Sequence, residues 1–281
     1  MKRRAYLAGQ WYPGDAKSCE QEIVSYTRDI IANSDQQCGL IGPHAGWRFS
    51  GACAARAYKS ASQNAQDIDL VVIFGSHKSE REKHSIFLGD SWETPLGDLD
   101  IPSDLTNAIS KNEDFMAEPV APNFIDNAVE VHLPFVKYFF PKAQLLMLGI
   151  SPTKDALRLG EKVGAFLNEK NVKAFFVGST DLTHYGPNYR FSPKGEGPQA
   201  VEWVRQANDL GFIESLLAKQ TAQAIEHALE HQSACCPGAA AATMEAVKAY
   251  QGFLKPELGE HLLSYDILPS DSFVGYASII L

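Results

Sequence analysis

The sequence lacks any run approaching the ~18 consecutive apolar residues that a membrane span needs. Its basic start, Met1-Lys2-Arg3-Arg4-Ala5-Tyr6-Leu7, is not followed by the apolar core of a secretory signal. It also lacks a long basic run. Acidic residues number 34 against 25 basic ones, and the formal net charge of −9 argues against a general affinity for nucleic acid or anionic membrane. Cysteine is scarce and unpatterned: Cys19, Cys38, Cys53, Cys235 and Cys236 form an odd set without disulfide-framework spacing, which points to free thiols in a reducing cytoplasm. No internal repeat or low-complexity linker divides the 281 residues, so a single domain with a sizeable core is expected.

What is present is an alternation of strand-like and helix-like segments. Asp15 follows the turn Trp11-Tyr12-Pro13-Gly14 and is placed to cap a helix predicted from Ala16 to Ala32. The apolar run ending at Pro43 reads as a strand. The small residues Gly51-Ala52-Cys53-Ala54-Ala55 suit a helix that starts near Ser50 and packs closely on a sheet. Strands are predicted at 68–74, 85–88, 143–150 and 173–178, and helices over 101–111, 128–140, 154–168, 199–229 with one break, and 237–251. The stretch 185–198, with three prolines and three glycines, reads as an irregular lid or active-site loop. The segments 264–268 and 273–281 read as two final strands. This order predicts an α/β fold with a central, mainly parallel or mixed sheet flanked by helices.

Three of the strands share one design, an apolar run that ends in small residues and then presents a histidine. His44 closes Gly39-Leu40-Ile41-Gly42-Pro43-His44, and His77 closes Leu70-Val71-Val72-Ile73-Phe74-Gly75-Ser76-His77. Asp181 and His184 follow Phe175-Phe176-Val177-Gly178-Ser179-Thr180. In a parallel sheet, polar residues just past the carboxyl ends of strands converge on one crevice. Three imidazoles and a carboxylate at one edge form a set of metal ligands, although each alone also reads as a structural hydrogen-bonding group. Asp181 reads as a ligand, as a partner that orients an imidazole, or as a helix cap. His184 reads as a ligand or as an acid/base beside a metal-bound substrate.

Glu130 and His132, two residues apart, would not share a helix face, and Glu130 is the one expected to point into the site. Cys235 and Cys236 precede Pro237-Gly238 and an alanine-rich helix, whose dipole favours a thiolate; the competing reading is two small core residues. Trp11, Tyr12, Trp47 and Phe49 read as aromatic walls of a pocket or as core packing. His84, inside Glu80-Arg81-Glu82-Lys83-His84, reads as a solvated surface residue.

Several of these segments occur together in the order of a known family: Ala8-Gly9-Gln10-Trp11-Tyr12-Pro13, Pro43-His44-Ala45-Gly46-Trp47 with Ser50-Gly51, Gly75-Ser76-His77, Trp92-Glu93-Thr94-Pro95-Leu96-Gly97, Glu130-Val131-His132-Leu133-Pro134-Phe135, and Ser179-Thr180-Asp181-Leu182-Thr183-His184-Tyr185-Gly186. The chain resembles the Memo (mediator of cell motility) family, also called protein B of the AmmeMemoRadiSam system, from about residue 3 to the C-terminus. The resemblance implies a fold like that of class III extradiol dioxygenases. It also implies a pocket of His44, His77 and a cysteine, with Asp181 and His184 close by.

Two departures stand out. The family's Cys-Gly-x-Gly-Pro-Ile type pattern is here Cys235-Cys236-Pro237-Gly238-Ala239-Ala240; aligning the second glycine with Gly238 selects Cys235 and leaves Cys236 a competitor lining the pocket. Asn127 stands where the family often has histidine. By resemblance the cofactor is Fe(II) or Cu(I); a cysteine among the ligands softens the site toward copper(I) and makes zinc a further candidate. The ligand is a small molecule or a peptide, with AmmeMemoRadiSam proteins as candidate partners and neither nucleic acid nor membrane among them. Two functions follow. One is a non-haem metal-dependent oxidoreductase with Glu130, Asp181 and His184 as catalytic groups. The other is a non-catalytic metal carrier or docking module in the same cleft.

Overall fold

A computed structural model of the chain describes residues 2–30, 37–62, 67–111, 115–119 and 125–281. Its strands are β1 (Lys2–Arg3), β2 (Gly39–Gly42), β3 (Leu70–Gly75), β4 (Ser85–Leu88), β5 (Ser91–Trp92), β6 (Leu99–Asp100), β7 (Met116–Pro119), β8 (Gln144–Gly149), β9 (Ala174–Ser179), β10 (His184–Tyr185), β11 (Glu257–Leu263) and β12 (Phe273–Ile280). The α-helices are α1 (Ala16–Thr27), α2 (Trp47–Ser62), α3 (Ser103–Ser110), α4 (Asn127–Glu130), α5 (Leu133–Phe139), α6 (Asp155–Glu169), α7 (Pro198–Trp203), α8 (Asp209–Leu217), α9 (Thr221–His231), α10 (Pro237–Gln251) and α11 (Ser264–Ile267). No helix among the described residues is long and apolar enough to cross a membrane.

The main sheet runs β10-β12-β2-β9-β3-β8-β4-β7, with β11 added alongside β12. Its centre, β2-β9-β3-β8, is parallel, and antiparallel pairings to β12 and β4 make the whole sheet mixed. A parallel centre must be covered on both faces, so its strands read as unbroken apolar runs. In β3, Leu70, Val72 and Phe74 enter one core while Val71 and Ile73 enter the other. The strands β8 and β9 repeat this alternation with Leu146/Leu148 against Leu145/Met147, and Ala174/Phe176 against Phe175/Val177. The first core also takes α6, α8, α9 and α10; the second takes α1, α2 and α5.

Helix α10 owes its position to small residues. Its buried run Ala239-Ala240-Ala241-Ala242-Thr243 lies between the sheet and α6. A Cβ on Gly160 or Gly164 of α6 would fall 2.1 Å from the carbonyl oxygens of Ala242 and Ala246 respectively. Backbone therefore packs on backbone, and the start of α10 is held at the carboxyl edge of the sheet.

Several boundaries differ from those the sequence predicts. The first helix ends at Thr27; positions 31 and 32 of its predicted extent lie outside the described residues. The predicted helix over 128–140 is two short helices, because Pro134 in the first turn of α5 favours a new helix start there. Helix α2 begins at Trp47, three residues before Ser50. The segment 199–229 contains a π-helical turn, Val204–Asn208, as well as the break after Leu217. The predicted strand at 264–268 is instead the helical turn α11, because the Asp266 carboxylate accepts from the Leu263 N–H at 2.9 Å and caps it. The strand paired with β12 is β11, just before that turn.

Gly164→Ala should lower stability by about 1–3 kcal/mol, since the added methyl forces α6 and α10 apart. Urea unfolding monitored by circular dichroism checks this; an unshifted midpoint would mean that the two helices separate without cost.

Candidate metal centre

Parallel pairing sets the positions of the candidate residues. Gly42 of β2 lies in register with Ser179 of β9, and Phe74 of β3 with Gly178. The three strands therefore end together, and His44, Asp181 and His77 emerge side by side. Ser76 adopts a left-handed backbone (φ 71°), unusual for a residue with a side chain, and turns the chain so that His77 follows. The His44 and His77 rings meet edge-on, with centroids 4.8 Å apart.

The start of α10 brings sulfur to the same point. The Cys236 N–H donates to Thr180 Oγ1 at 3.0 Å, the Cys235 N–H to the Asp181 carbonyl at 3.2 Å, and Leu182 bridges to Ala234. Cys235 Sγ lies 3.2 Å from His44 Nε2 and accepts from the Asp181 N–H at 3.3 Å. The donor atoms of His44, His77, Cys235 and Cys236 all fall within 4.8 Å of one another.

The ring of His44 is fixed from behind. Its Nδ1 lies 2.8 Å from Ser179 Oγ, which lies 3.1 Å from His132 Nε2, whose Nδ1 is 3.3 Å from Tyr58 Oη. If His44 Nε2 is to accept a cation, Nδ1 must carry the proton. Ser179 then donates to His132 Nε2, and His132 Nδ1–H donates to Tyr58. In that direction the His44 Nδ1 proton, the Ser179 hydroxyl and the His132 ring each find a partner within the buried chain.

Burial holds the His132 pKa down to about 3, so this ring is neutral. His44 differs. Burial lowers its pKa, but the Cys235 thiolate and the Asp181 carboxylate more than offset that and hold it at about 9. Burial likewise opposes ionisation of Cys235, yet the Cys236 thiol and the His44 and His77 imidazoles hold its pKa well below the ordinary thiol range. Cys236 is pushed well above that range by the adjacent sulfur and by burial. Both shifts favour a thiolate at Cys235 beside a protonated His44.

Asp181 stands beside the donor atoms. Its Oδ1 accepts the His44 N–H at 2.7 Å, and its Oδ2 is 3.8 Å from His184 Nε2 and 3.9 Å from His44 Nε2. His184 stacks on Tyr189 from the irregular segment after β10, with centroids 4.9 Å apart. Burial lowers the His184 pKa, but Asp181 and Cys235 raise it overall. The loop carrying both residues is pinned by buried Asp209, which accepts from the Thr183 N–H at 3.1 Å, from the Thr183 hydroxyl, and from His261 Nε2 at 3.1 Å.

A cleft of about 580 Å³ opens onto His44, His77, Asp181 and His184, with aromatic walls from Trp11, Phe49, Tyr189 and Tyr276. A second recess of about 340 Å³ reaches Cys235 past Leu182 and Leu229. Cys236 borders neither.

The structure thus gathers His44, His77, Cys235, Asp181, His184 and Trp11 as the sequence suggests, and relocates four other residues. Glu130 accepts from the Leu7 N–H at 2.6 Å and from Tyr12 Oη at 3.0 Å, so it anchors the N-terminal segment and does not line the cleft. The break between α4 and α5 sends His132, not Glu130, toward His44. Trp47 is 2 % exposed, stacks on Phe135 at 4.2 Å and donates to the Val131 carbonyl, because the earlier helix start puts it on the buried face. Cys236 belongs with the donor atoms and not with the cleft wall. His84 is buried and accepts from the Ser151 N–H at 3.1 Å, which its charged neighbours concealed.

A family model described as "Memo-like protein" matches residues 3–280. A MEMO1 family protein of Methanopyrus kandleri is 29% identical over 293 residues, covering 100% of this chain and 99% of its own length. A MEMO1 family protein of Thermococcus onnurineus is 27% identical over 295 residues, with the same coverage. Among solved structures, an uncharacterized protein from Escherichia coli K12 superposes with a TM-score of 0.51 at 12% identity, covering 87% of this chain and 99% of its own; this likeness is one of fold.

The neutral, buried His132 has a consequence in acid. Between pH ~6.5 and about 3 the unfolded chain takes up a proton at this position that the folded protein refuses, so stability falls as pH drops across that window. In His132→Asn this contribution is gone, and unfolding free energy should decline less steeply below pH ~6.5, by up to about 1.4 kcal/mol per pH unit. Parallel slopes for the two proteins in chemical denaturation would show that His132 titrates equally in both states.

Proposed function

The chain belongs to the Memo-like protein family, and on the geometry above we propose that it is a metal-binding protein that holds a thiophilic ion, copper(I) or zinc, on His44, His77 and Cys235. One observation carries this reading: imidazole and sulfur donors from three separate segments lie within 4.8 Å of one another, with a thiolate already favoured at Cys235. Imidazole and thiolate suit copper(I) and zinc. The residues fit iron(II) less well, because an oxygenase site of that metal usually needs a carboxylate as third ligand. Asp181 is engaged by the His44 N–H and Glu130 by the N-terminal segment. The Ser179–His132–Tyr58 chain supports the reading, since it engages His44 Nδ1 from behind and turns Nε2 toward the sulfur and the other donors.

A second reading, a metal-dependent oxidoreductase acting on an oxidisable small molecule, is favoured by the His184–Asp181 pair at the cleft. There His184 is placed to take up or release a proton from a molecule held between the aromatic walls, with Asp181 stabilising its charged form.

Metal analysis of anaerobically purified protein tests the proposal. We expect about one copper or zinc per chain in the wild type and near-complete loss in the His44→Ala, His77→Ala double variant. Equal metal in both proteins would reject these ligands. Oxygen uptake with catechol-type compounds decides the second reading. Uptake by the wild type that disappears in His184→Ala would support it, and no uptake across a panel would remove it.

A further inference from the structure

Three ligands leave a four-coordinate ion one position short. That position can face the cleft, where water or a substrate would fill it, or it can be supplied by the protein. Cys236 is the side chain placed to supply it. It is 3 % exposed, borders neither cavity, and stands with its sulfur among the other three donors. Its backbone is fixed by Thr180, whose hydroxyl accepts the Cys236 N–H and donates to the Asp181 carbonyl. Its sulfur meets the Cys235 sulfur and, weakly, the Ser76 carbonyl at 3.5 Å, presented by the left-handed turn that also delivers His77. It is also the residue immediately before the 15-residue α10, where the helix dipole favours negative charge.

We infer that Cys236 is a fourth ligand, so that the ion is held in a closed His44–His77–Cys235–Cys236 site. This rests on the preceding reading and sharpens it: the cargo is a metal that accepts two sulfurs and two nitrogens, zinc before all, and the cleft binds its ligand beside the ion and not on it. A tetrahedral zinc with bonds of about 2.3 Å to sulfur and about 2.0–2.1 Å to nitrogen has donor–donor edges of roughly 3.3–3.8 Å. The 3.2 Å between Cys235 Sγ and His44 Nε2 already approaches this, and the 4.8 Å limit on the others asks for contraction of about 1.5 Å at most. On binding, the Cys236 thiol proton and the His44 imidazolium proton leave to solvent, two sulfur–metal and two nitrogen–metal bonds form, and no electron is transferred.

X-ray absorption at the zinc edge of the loaded wild-type protein counts the sulfurs directly. Two sulfurs and two nitrogens are expected; one sulfur overturns the inference. Cobalt(II) loading gives an independent reading. In Cys236→Ala and Cys236→Ser the near-ultraviolet sulfur-to-cobalt band should fall by about half, and zinc affinity by at least about 100-fold in chelator competition. Wild-type band intensity and affinity in both variants would overturn it. A wild-type protein that takes up no ion removes this inference together with the reading beneath it. One that binds through both histidines and a single sulfur removes this inference alone.

Discussion

Parallel pairing of β2, β9 and β3 is the constraint on which the rest depends. These strands are covered on both faces, so their side chains are committed to packing, and polar chemistry is confined to the residues after their last hydrogen-bonded pair. Because the three end in register, that confinement becomes convergence: residues 44, 77 and 181 share one small volume although more than a hundred positions separate the first from the last. The close contact of α6 with α10 completes the arrangement, since it fixes the segment that brings sulfur over the same edge.

The electrostatics follow from that burial. A lone imidazolium or thiolate at such depth would be strongly disfavoured, yet His44 and Cys235 each stabilise the charged form of the other. Asp181 adds its carboxylate to two imidazoles and its N–H to the sulfur, so one short loop supplies both signs of compensation. Asp209, beneath Thr183, keeps that loop in place. The site is therefore polarised by its own residues, and the neutral His132 behind Ser179 adds orientation without adding charge.

Much of this was legible in the sequence, for identifiable reasons. Strand ends are marked by small residues followed by histidine, and α10 runs over the same 237–251 that its alanine-rich pattern predicts. The misreadings come from places where tertiary structure overrides a local rule. The sequence places Glu130 and His132 on one helix; the helix breaks between them, and each turns inward to a different partner. Trp47 moves into the core because α2 starts three residues early, which turns Phe49 toward the cleft. His84 lies among charges but its ring faces inward, which no spacing encodes. The Ser179–His132 link joins residues 47 positions apart and leaves no periodic trace.

Whether the proposed centre would store an ion or use one turns on the donors it offers. The likeness to the Escherichia coli protein, at 12% identity, is one of fold and says nothing of the donors. Carboxylate oxygens favour hard ions that keep exchangeable positions, while sulfur favours d10 ions bound tightly in low coordination. In this chain the carboxylates nearest the edge are engaged in hydrogen bonds to backbone and imidazole, and the sulfurs face the histidines. The carboxylates thus order the protein around the centre, and the soft donors are left for the cation we propose. That division of labour argues for retention of an ion more than for exchange of ligands upon it.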